Sequence, residues 1–295
     1  EDECAALRQA LRELGRTPQL WLSEVDDAAA FEIADALTPG HAIRLEMIRL
    51  GKQVRADGCA ALSEALGKGG APRLEALHLS GNPLSDDGGA AVAFDLLRGG
   101  GCPTLRDLQL NHCQIGDTGA VALGEALRDG AAVALQNLWL GGNAIGDAGA
   151  EAFAAALTPG RGQGAGLRRL GLYSNVIGDR GAVLLAQAVE TRRQERVRTP
   201  GLPTVTIMLW GNQLQDPDTE RTIAEVDAVG RAEGGDWVEL NRSPHHFSPT
   251  AAAAAGQNYG DGYVYAPSSC ASTPPYSSGT AGVPWTPPPS RYGMH

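Results

Sequence analysis

Aromatic residues are scarce in this sequence, since Phe, Trp and Tyr together make up only 5% of its 295 residues. Any hydrophobic core must therefore be built mainly from leucine and alanine. Long apolar runs are also missing, and none approaches the roughly 20 residues that a membrane-spanning helix needs. The sequence therefore argues against a membrane protein.

Closely paired cysteines and an excess of positive charge are lacking as well. The five cysteines are odd in number and never spaced as CxxC: Cys4, Cys59, Cys102, Cys113 and Cys270. This pattern is typical of free thiols in a reducing compartment, so we expect a cytoplasmic protein without disulfides or a zinc site. The formal net charge of −10 argues against binding to nucleic acid or anionic membranes and favours a protein partner with a basic patch.

Motifs that carry chemistry are absent too. The sequence has no GxxxxGK[ST] phosphate loop, and no potential nucleophile lies in a recognisable catalytic setting. His245 and His246 are adjacent, with no cysteine or carboxylate cluster beside them, which does not fit a metal site. We therefore predict a protein that is not an enzyme and that has no cofactor or metal.

What the sequence does contain is a repeated unit, which is clearest from Leu135 to Leu157. Leu138 and Leu140 alternate as in a short strand with one buried face. The apolar residues that follow recur at helical steps, at Ala150, Phe153, Ala154 and Leu157. We expect Asp147 to accept hydrogen bonds from the first N–H groups of this helix, and 158–160 (Thr-Pro-Gly) to end it.

The same unit recurs about every 30 residues. The positions equivalent to Asn143 are 29 to 37 residues apart, at Ser23, Gln53, Asn82, Cys113, Asn143, Asn175 and Asn212. One unit cannot fold alone, because burying an apolar side chain contributes about 1.5–3 kcal/mol whereas ordering each residue costs about 1–2 kcal/mol. The units must therefore share a core with their neighbours. We predict that the asparagines satisfy backbone groups where the chain leaves each strand.

The chain divides into two parts by composition. The repeats extend over residues 1–242, with a helix at 5–14 and a last strand at 237–241. A connection from Thr191 to Pro203 is rich in arginine, and we interpret it as an exposed loop, with a docking patch for an acidic partner as the alternative. Residues 243–295 are rich in Pro, Ser, Gly and Tyr, which predicts a tail that is disordered in isolation.

The pattern LxxLxLxxNxIxDxGAxxLxxAL, present from Leu105 to Leu127 and from Leu135 to Leu157, resembles the ribonuclease-inhibitor-like class of leucine-rich repeats. The resemblance implies an α/β solenoid of about seven repeats plus caps, with a parallel β-sheet on a concave face and helices on a convex face. Proteins of this class bind ribonucleases, act as sensors, activate small GTPases or serve as scaffolds, so the fold does not select a function.

Residues on the outer side of the strands are the candidate binding residues, because side chains alternate along a strand and the leucines occupy the buried side. Large aromatic residues on an exposed sheet are over-represented at binding hot spots, and they cluster here in the C-terminal repeats. The predicted partner-binding residues are Trp139, Tyr173, Met208, Trp210, His78, Arg49, Gln109, Asn111 and Arg169.

The favoured function is a non-enzymatic interaction module or scaffold that binds a protein partner on the concave face, with the tail as a second contact. Two alternatives remain open at this point. One is a regulator that stimulates a small GTPase, and the other is a structural subunit of a large cytoskeletal or ciliary assembly. The aromatic residues also have an intramolecular alternative, in which the tail or a capping segment covers them.

Overall fold

The computed structural model describes residues 16–131, 133–158, 166–199, 201–232 and 235–240. Strands and helices alternate along the chain, and each strand and the helix after it carry the number of their repeat. The strands are β1 (Gln19–Val25), β2 (Met47–Lys52), β3 (Ala76–His78), β4 (Asp107–Gln109), β5 (Asn137–Trp139), β6 (Arg169–Gly171), β7 (Thr206–Met208) and β8 (Trp237–Glu239).

The helices follow the strands in the same order. They are α1 (Asp27–Ala36), α2 (Ala56–Gly67), α3 (Ser85–Ala91, continued by a π-helical stretch over Val92–Leu97), α4 (Asp117–Arg128), α5 (Asp147–Leu157), α6 (Asp179–Arg198) and α7 (Pro217–Ala232). The helix of the fifth repeat ends at Leu157, as its sequence predicts. The predicted helix at 5–14 and the predicted tail at 243–295 lie outside the described residues.

All eight strands form one parallel sheet in chain order, β1 to β8, which confirms the predicted α/β repeat architecture. Leu138 pairs with Leu108 on one side and with Leu170 on the other. This alignment brings one apolar residue from each strand into a continuous buried row, with Leu20, Ile48, Leu77, Leu108, Leu138, Leu170, Ile207 and Val238. The register therefore follows the repeat from β2 to β8, whereas the pairing of β1 with β2 shifts between Leu22 and Val25.

The core lies between the sheet and the helices. In the fifth repeat the predicted helical stripe of Ala150, Phe153, Ala154 and Leu157 is buried in the same cluster as the strand leucines. Phe153 is fully buried there, at the position that the equally buried Leu123 has in the fourth repeat. We call the opposite side of the sheet, which is turned away from this core, the outer face.

A ladder of asparagines joins neighbouring repeats, as predicted. The Asn82 amide nitrogen donates to the carbonyls of Leu50 and Leu79, both at 2.8 Å, and its oxygen accepts from the N–H of Val54. Asn143, Asn175 and Asn212 repeat this arrangement. Each side chain thus satisfies backbone groups of its own repeat and of the preceding one.

The prediction that Asp147 caps its own helix is wrong. Its carboxylate accepts hydrogen bonds from the N–H groups of Gly178 (2.8 Å) and Gly181 (3.0 Å), which begin the helix of the next repeat. Asp86 and Asp117 do the same for the helices that follow them. The reason is its position: Asp147 is the first residue of its own helix, and Gly146 is the N-cap. The Asp147 carboxylate therefore reaches the start of the next helix and does not cap its own.

Most of the arginine-rich connection is helical, which corrects its interpretation as an exposed loop. Helix α6 continues to Arg198 and therefore contains Arg192, Arg193, Arg196 and Arg198. Arg192 is only 2% exposed, and one of its terminal nitrogens donates to the carbonyl of Pro203 at 3.1 Å. The charge run hid a helix because arginine is also a good helix former.

Candidate functional site

The outer face of the sheet carries three aligned rows of side chains, and its C-terminal half holds an aromatic group. Tyr173 and Trp210, which follow β6 and β7, stack with their ring centroids 4.7 Å apart and their planes 5° apart. Trp139, at the end of β5, lies beside them. We call Trp139, Tyr173 and Trp210 the aromatic ledge. All three side chains are partly exposed.

Two glycines make room for the ledge. A Cβ atom at Gly141 would lie 2.2 Å from two ring carbons of Tyr173, so this ring occupies the space where a side chain would be. A Cβ atom at Gly171 would lie 2.8 Å from a ring carbon of Trp139 and 3.3 Å from one of Tyr173. The rings therefore rest against the backbone of their neighbouring strands, and any larger residue at these positions would displace them.

A polar cluster centred on Asp107 borders the ledge. One carboxylate oxygen accepts from Gln109 (3.1 Å) and lies 3.3 Å from Nε2 of His78. The other accepts from the amide of Asn137 (2.9 Å) and from the indole N–H of Trp139 (3.3 Å). We call Asp107, His78, Gln109 and Asn137 the polar hub. It is connected to the ledge through the Trp139 indole.

The hub keeps Asp107 ionised. Burial by itself raises the pKa of this carboxyl, but hydrogen bonds from His78, Asn137 and Gln109 more than offset that effect, so the pKa is lower than usual. In the ledge, burial raises the pKa of the Tyr173 phenol. At neutral pH the site therefore presents a fixed negative charge beside uncharged aromatic rings.

The other predicted site residues take different places. Met208 is aligned with Gly171 but is only 9% exposed, so it adds little accessible surface. The Asn111 side chain accepts the N–H of Gly141 at 2.7 Å and thereby supports the backbone beneath Tyr173. Arg169 donates to the oxygen of Asn137 at 3.3 Å, which places it at the edge of the hub.

Arg49 lies away from the ledge. Its guanidinium carbon is 4.9 Å from the centroid of the Trp21 ring, near the N-terminal end of the sheet. Trp21 is 70% exposed and lies in the same row as Trp139, at the first strand. Arg49 is thus the predicted residue that the structure places apart from both the ledge and the hub.

Asp107, Gly141 and Gly171 were not among the site residues predicted from the sequence. Alternation along β4 puts Asp107 on the outer face, but its role depends on donors from three strands. Gly141 and Gly171 carried a usable signal, since both stand at outward positions next to aromatic residues. Trp21 was missed because the first repeat is degenerate in sequence.

The described residues offer little basis for metal or thiol chemistry. No group of three or more His, Cys, Asp or Glu side chains there is arranged to hold a metal ion. Cys59, Cys102 and Cys113 are free, and burial raises the pKa of each thiol to about 12, so none is a reactive thiolate at neutral pH. In the part of the chain that the structure covers, no helix is both long and apolar enough to span a bilayer.

Comparison with known proteins identifies the repeats. The family described as "Leucine Rich repeat" matches residues 72–93, 101–124 and 135–154, which belong to three successive repeats. These three segments are therefore leucine-rich repeats, and the aligned parallel sheet extends the same strand-and-helix unit on both sides of them. Repeats of this kind generally form protein-interaction surfaces.

No curated protein matches the chain by sequence. Among solved structures, one titled "Leiomodin-1 Actin-Binding Site 2 (ABS2)" is 14% identical, covers 66% of this chain and 94% of its own, and has a TM-score of 0.34. A similarity at this level carries no weight for the fold or the partners of the present chain.

Proposed function

We propose that this protein is a non-enzymatic interaction module that binds a protein partner through the aromatic ledge, with the tail at 243–295 as a second contact. The observation that carries the proposal is the ledge itself. Three of the few aromatic residues in the chain lie together on one partly exposed patch, where Gly141 and Gly171 leave space for their rings, and the framework of the repeat requires none of them.

The ledge has the properties of a binding hot spot. Trp and Tyr supply large contact areas at low cost in side-chain entropy, and hot spots are enriched in both. The stacking of Tyr173 on Trp210 and the packing of Trp139 against Gly171 hold the rings in place before a partner arrives. Little conformational entropy is then lost on docking.

The outer face contributes little net charge to recognition. At the outward positions of β2 to β8, Asp107 and Glu239 are balanced by Arg49 and Arg169. The acid excess of the chain therefore comes from residues outside these strand positions, and a basic patch on the partner would contact those residues. On the ledge, we expect recognition by ring contacts and hydrogen bonds.

Site-specific photocrosslinking in native extract tests the proposal. A photoreactive phenylalanine analogue replaces Thr206 in the full chain, a partly exposed outward position on β7, the strand that Trp210 follows. Mass spectrometry then identifies the captured protein. The same analogue at Ala155, an exposed position on α5, reports background capture. We expect one protein to be captured from position 206 and not from position 155.

Tryptophan variants then show whether the ledge carries the interaction. Replacing Trp139 and Trp210 with Ala should reduce capture of that protein at least about tenfold, as truncation of hot-spot residues does. W21A is the matched control, since Trp21 is an exposed tryptophan in the same row but outside the ledge. Equal capture by the double variant and the wild type, or equal loss with W21A, would contradict the proposal.

The two alternative functions have no specific observation in their favour. Stimulation of a small GTPase and a structural role in a cytoskeletal or ciliary assembly remain predictions of the family resemblance. The identity of the captured protein separates them, since a GTPase or an assembly subunit would be recognised by its mass spectrum.

A further inference from the structure

We infer that Asp107 is a positioning residue that sets the orientation of Trp139 for docking, an inference that rests on the proposed function. Among the described residues, the hydrogen bond from the Trp139 indole N–H to Asp107, 3.3 Å long, is the single polar contact of the Trp139 side chain. It crosses from β5 to β4 and therefore ties the ring to a neighbouring strand.

The carboxylate is itself held from three directions. His78 reaches it from β3, Gln109 from β4 and Asn137 from β5. A carboxylate that is fixed by donors on three strands cannot move with the Trp139 ring. The indole N–H must therefore orient towards the carboxylate. The rigidity of the sheet is thereby transmitted to the ring.

Trp139 depends on this bond more than the other exposed aromatic residues do. Tyr173 and Trp210 stabilise each other by stacking, and Trp21 lies against the guanidinium of Arg49. Within the described part of the chain, no second ring or cation lies over Trp139. On the side of the sheet, the Trp139 ring packs against the backbone of Gly171. This contact limits how closely the ring approaches the sheet but does not fix the orientation of the ring.

A negatively charged acceptor suits this role better than a neutral one. All four donors point at the carboxylate, and a side-chain amide would turn its own NH₂ group towards two of them. Replacing Asp107 with Asn therefore keeps the shape of the hub, but the NH₂ group of Asn would face two hydrogen-bond donors and leave them without an acceptor. The change should reach Trp139 without altering the buried leucine row.

Fluorine NMR of the full chain labelled with 5-fluorotryptophan tests the inference. The W139F variant assigns the Trp139 signal, and the Trp21 signal serves as an internal reference. In D107N we expect the Trp139 signal to move towards that of a solvent-exposed tryptophan while the Trp21 signal stays in place. D87N, which changes an exposed acid on α3, should leave both signals unchanged.

Capture of the photocrosslinked partner supplies the functional readout. We expect D107N to weaken capture about tenfold, and D107N to have no further effect in the W139F background, where the indole N–H is absent. If D107N does not fold, D107E keeps the charge, moves the carboxylate outwards and should shift the Trp139 signal in the same way.

The two proposals fail differently. An unchanged Trp139 signal in folded D107N or D107E would overturn the role of Asp107. A changed signal with undiminished capture would leave the positioning of the ring established but would refute the ledge as the docking site. A further loss of capture when D107N is added to W139F would show that Asp107 acts on the partner directly, which also overturns the inference.

Discussion

At the scale of single residues, glycine has two different roles in this protein. Some glycines adopt a positive φ angle in the turns after the strands, as Gly81 (81°) and Gly142 (68°) do, where a side chain would strain the backbone. Gly141 and Gly171 have no such angle, and their missing side chains leave space for the rings of Tyr173 and Trp139. Only the second role concerns the candidate site.

Replacing Gly141 with Ala should displace the ledge. The new Cβ atom would overlap the Tyr173 ring, so we expect the Tyr173–Trp210 stack to open and stability to fall by about 1 kcal/mol, as for mild overpacking. Near-UV circular dichroism reports the stack, and urea denaturation reports the stability.

The control for this change is G51A, at the equivalent position of the second repeat. The nearest atom to a Cβ there is the Ser23 carbonyl oxygen at 3.6 Å, an ordinary contact, so stability should change by less than about 0.5 kcal/mol. A near-UV spectrum of G141A identical to that of the wild type would show that the ring does not occupy the space over Gly141.

The buried cysteines give a second prediction at this scale. Burial raises the pKa of Cys59 and Cys113 to about 12, against about 8.5 for a free thiol. At pH 8 the folded protein should therefore react with iodoacetamide at these residues about a thousandfold more slowly than the urea-unfolded protein. Peptide mass spectrometry measures both rates, and rapid labelling of either thiol in the folded state would contradict the burial.

At the scale of elements, each repeat is completed by its neighbour. The aspartates at the helix starts and the asparagines after the strands both bond to groups about 30 residues away. Helix α5 has glycine at its N-cap and no side-chain cap of its own, so its first N–H groups rely on Asp117 of the preceding repeat. A repeat without this neighbour lacks its cap as well as its core.

Replacing Asp147 with Ala should therefore weaken the helix after the one in which Asp147 lies. We expect a loss of about 1 kcal/mol, typical of a removed cap, and faster hydrogen exchange at the amides of Gly178 and Gly181. The amide of Ala150, within the helix of Asp147 itself, should keep its protection because it bonds to the Gly146 carbonyl.

Asp57 offers a matched control, since it also lies in the first turn of a helix but makes no such bond among the described residues. D57A should leave exchange in the neighbouring helix unchanged. Faster exchange at Ala150 with unchanged Gly178 and Gly181 would restore the original prediction that Asp147 caps its own helix.

At the scale of the whole molecule, charged side chains are buried where the last repeats pack together. Asp236 is fully buried just before β8, accepts the N–H of Val205, and lies 3.7 Å from Arg196 of α6. Arg192, one turn earlier, is also buried. The added length of α6, 20 residues against 12 for α4, delivers both arginines to this end of the sheet.

Replacing Asp236 with Asn should destabilise this end first. Breaking a buried ion pair typically costs about 3–5 kcal/mol, and the partial exposure of Arg196 places the expected loss near about 3 kcal/mol. Because a repeat array is held together by nearest-neighbour contacts, hydrogen exchange should accelerate in β8 and α7 before it does in β4 or α4.

The exposed pair of Asp218 and Arg221 supplies the comparison. D218N removes a charge of the same sign from the exposed start of α7 and should cost less than about 0.5 kcal/mol. Equal urea midpoints for D236N and D218N would show that the buried charge does not stabilise the end of the array.

The sequence by itself determined the period, the buried rows and the side of the sheet on which each strand residue lies. These follow from local spacing, because strand and helix periods are written in consecutive residues, as Leu138, Leu140 and Phe153 show. Only the tertiary structure decided that Asp147 caps the next helix, that Arg192 is buried, and that Asp107 holds Trp139. Each of those contacts joins residues that are far apart in the local pattern of the sequence. The packing of neighbouring strands and helices decides which residues meet, and the spacing of consecutive residues does not encode that packing.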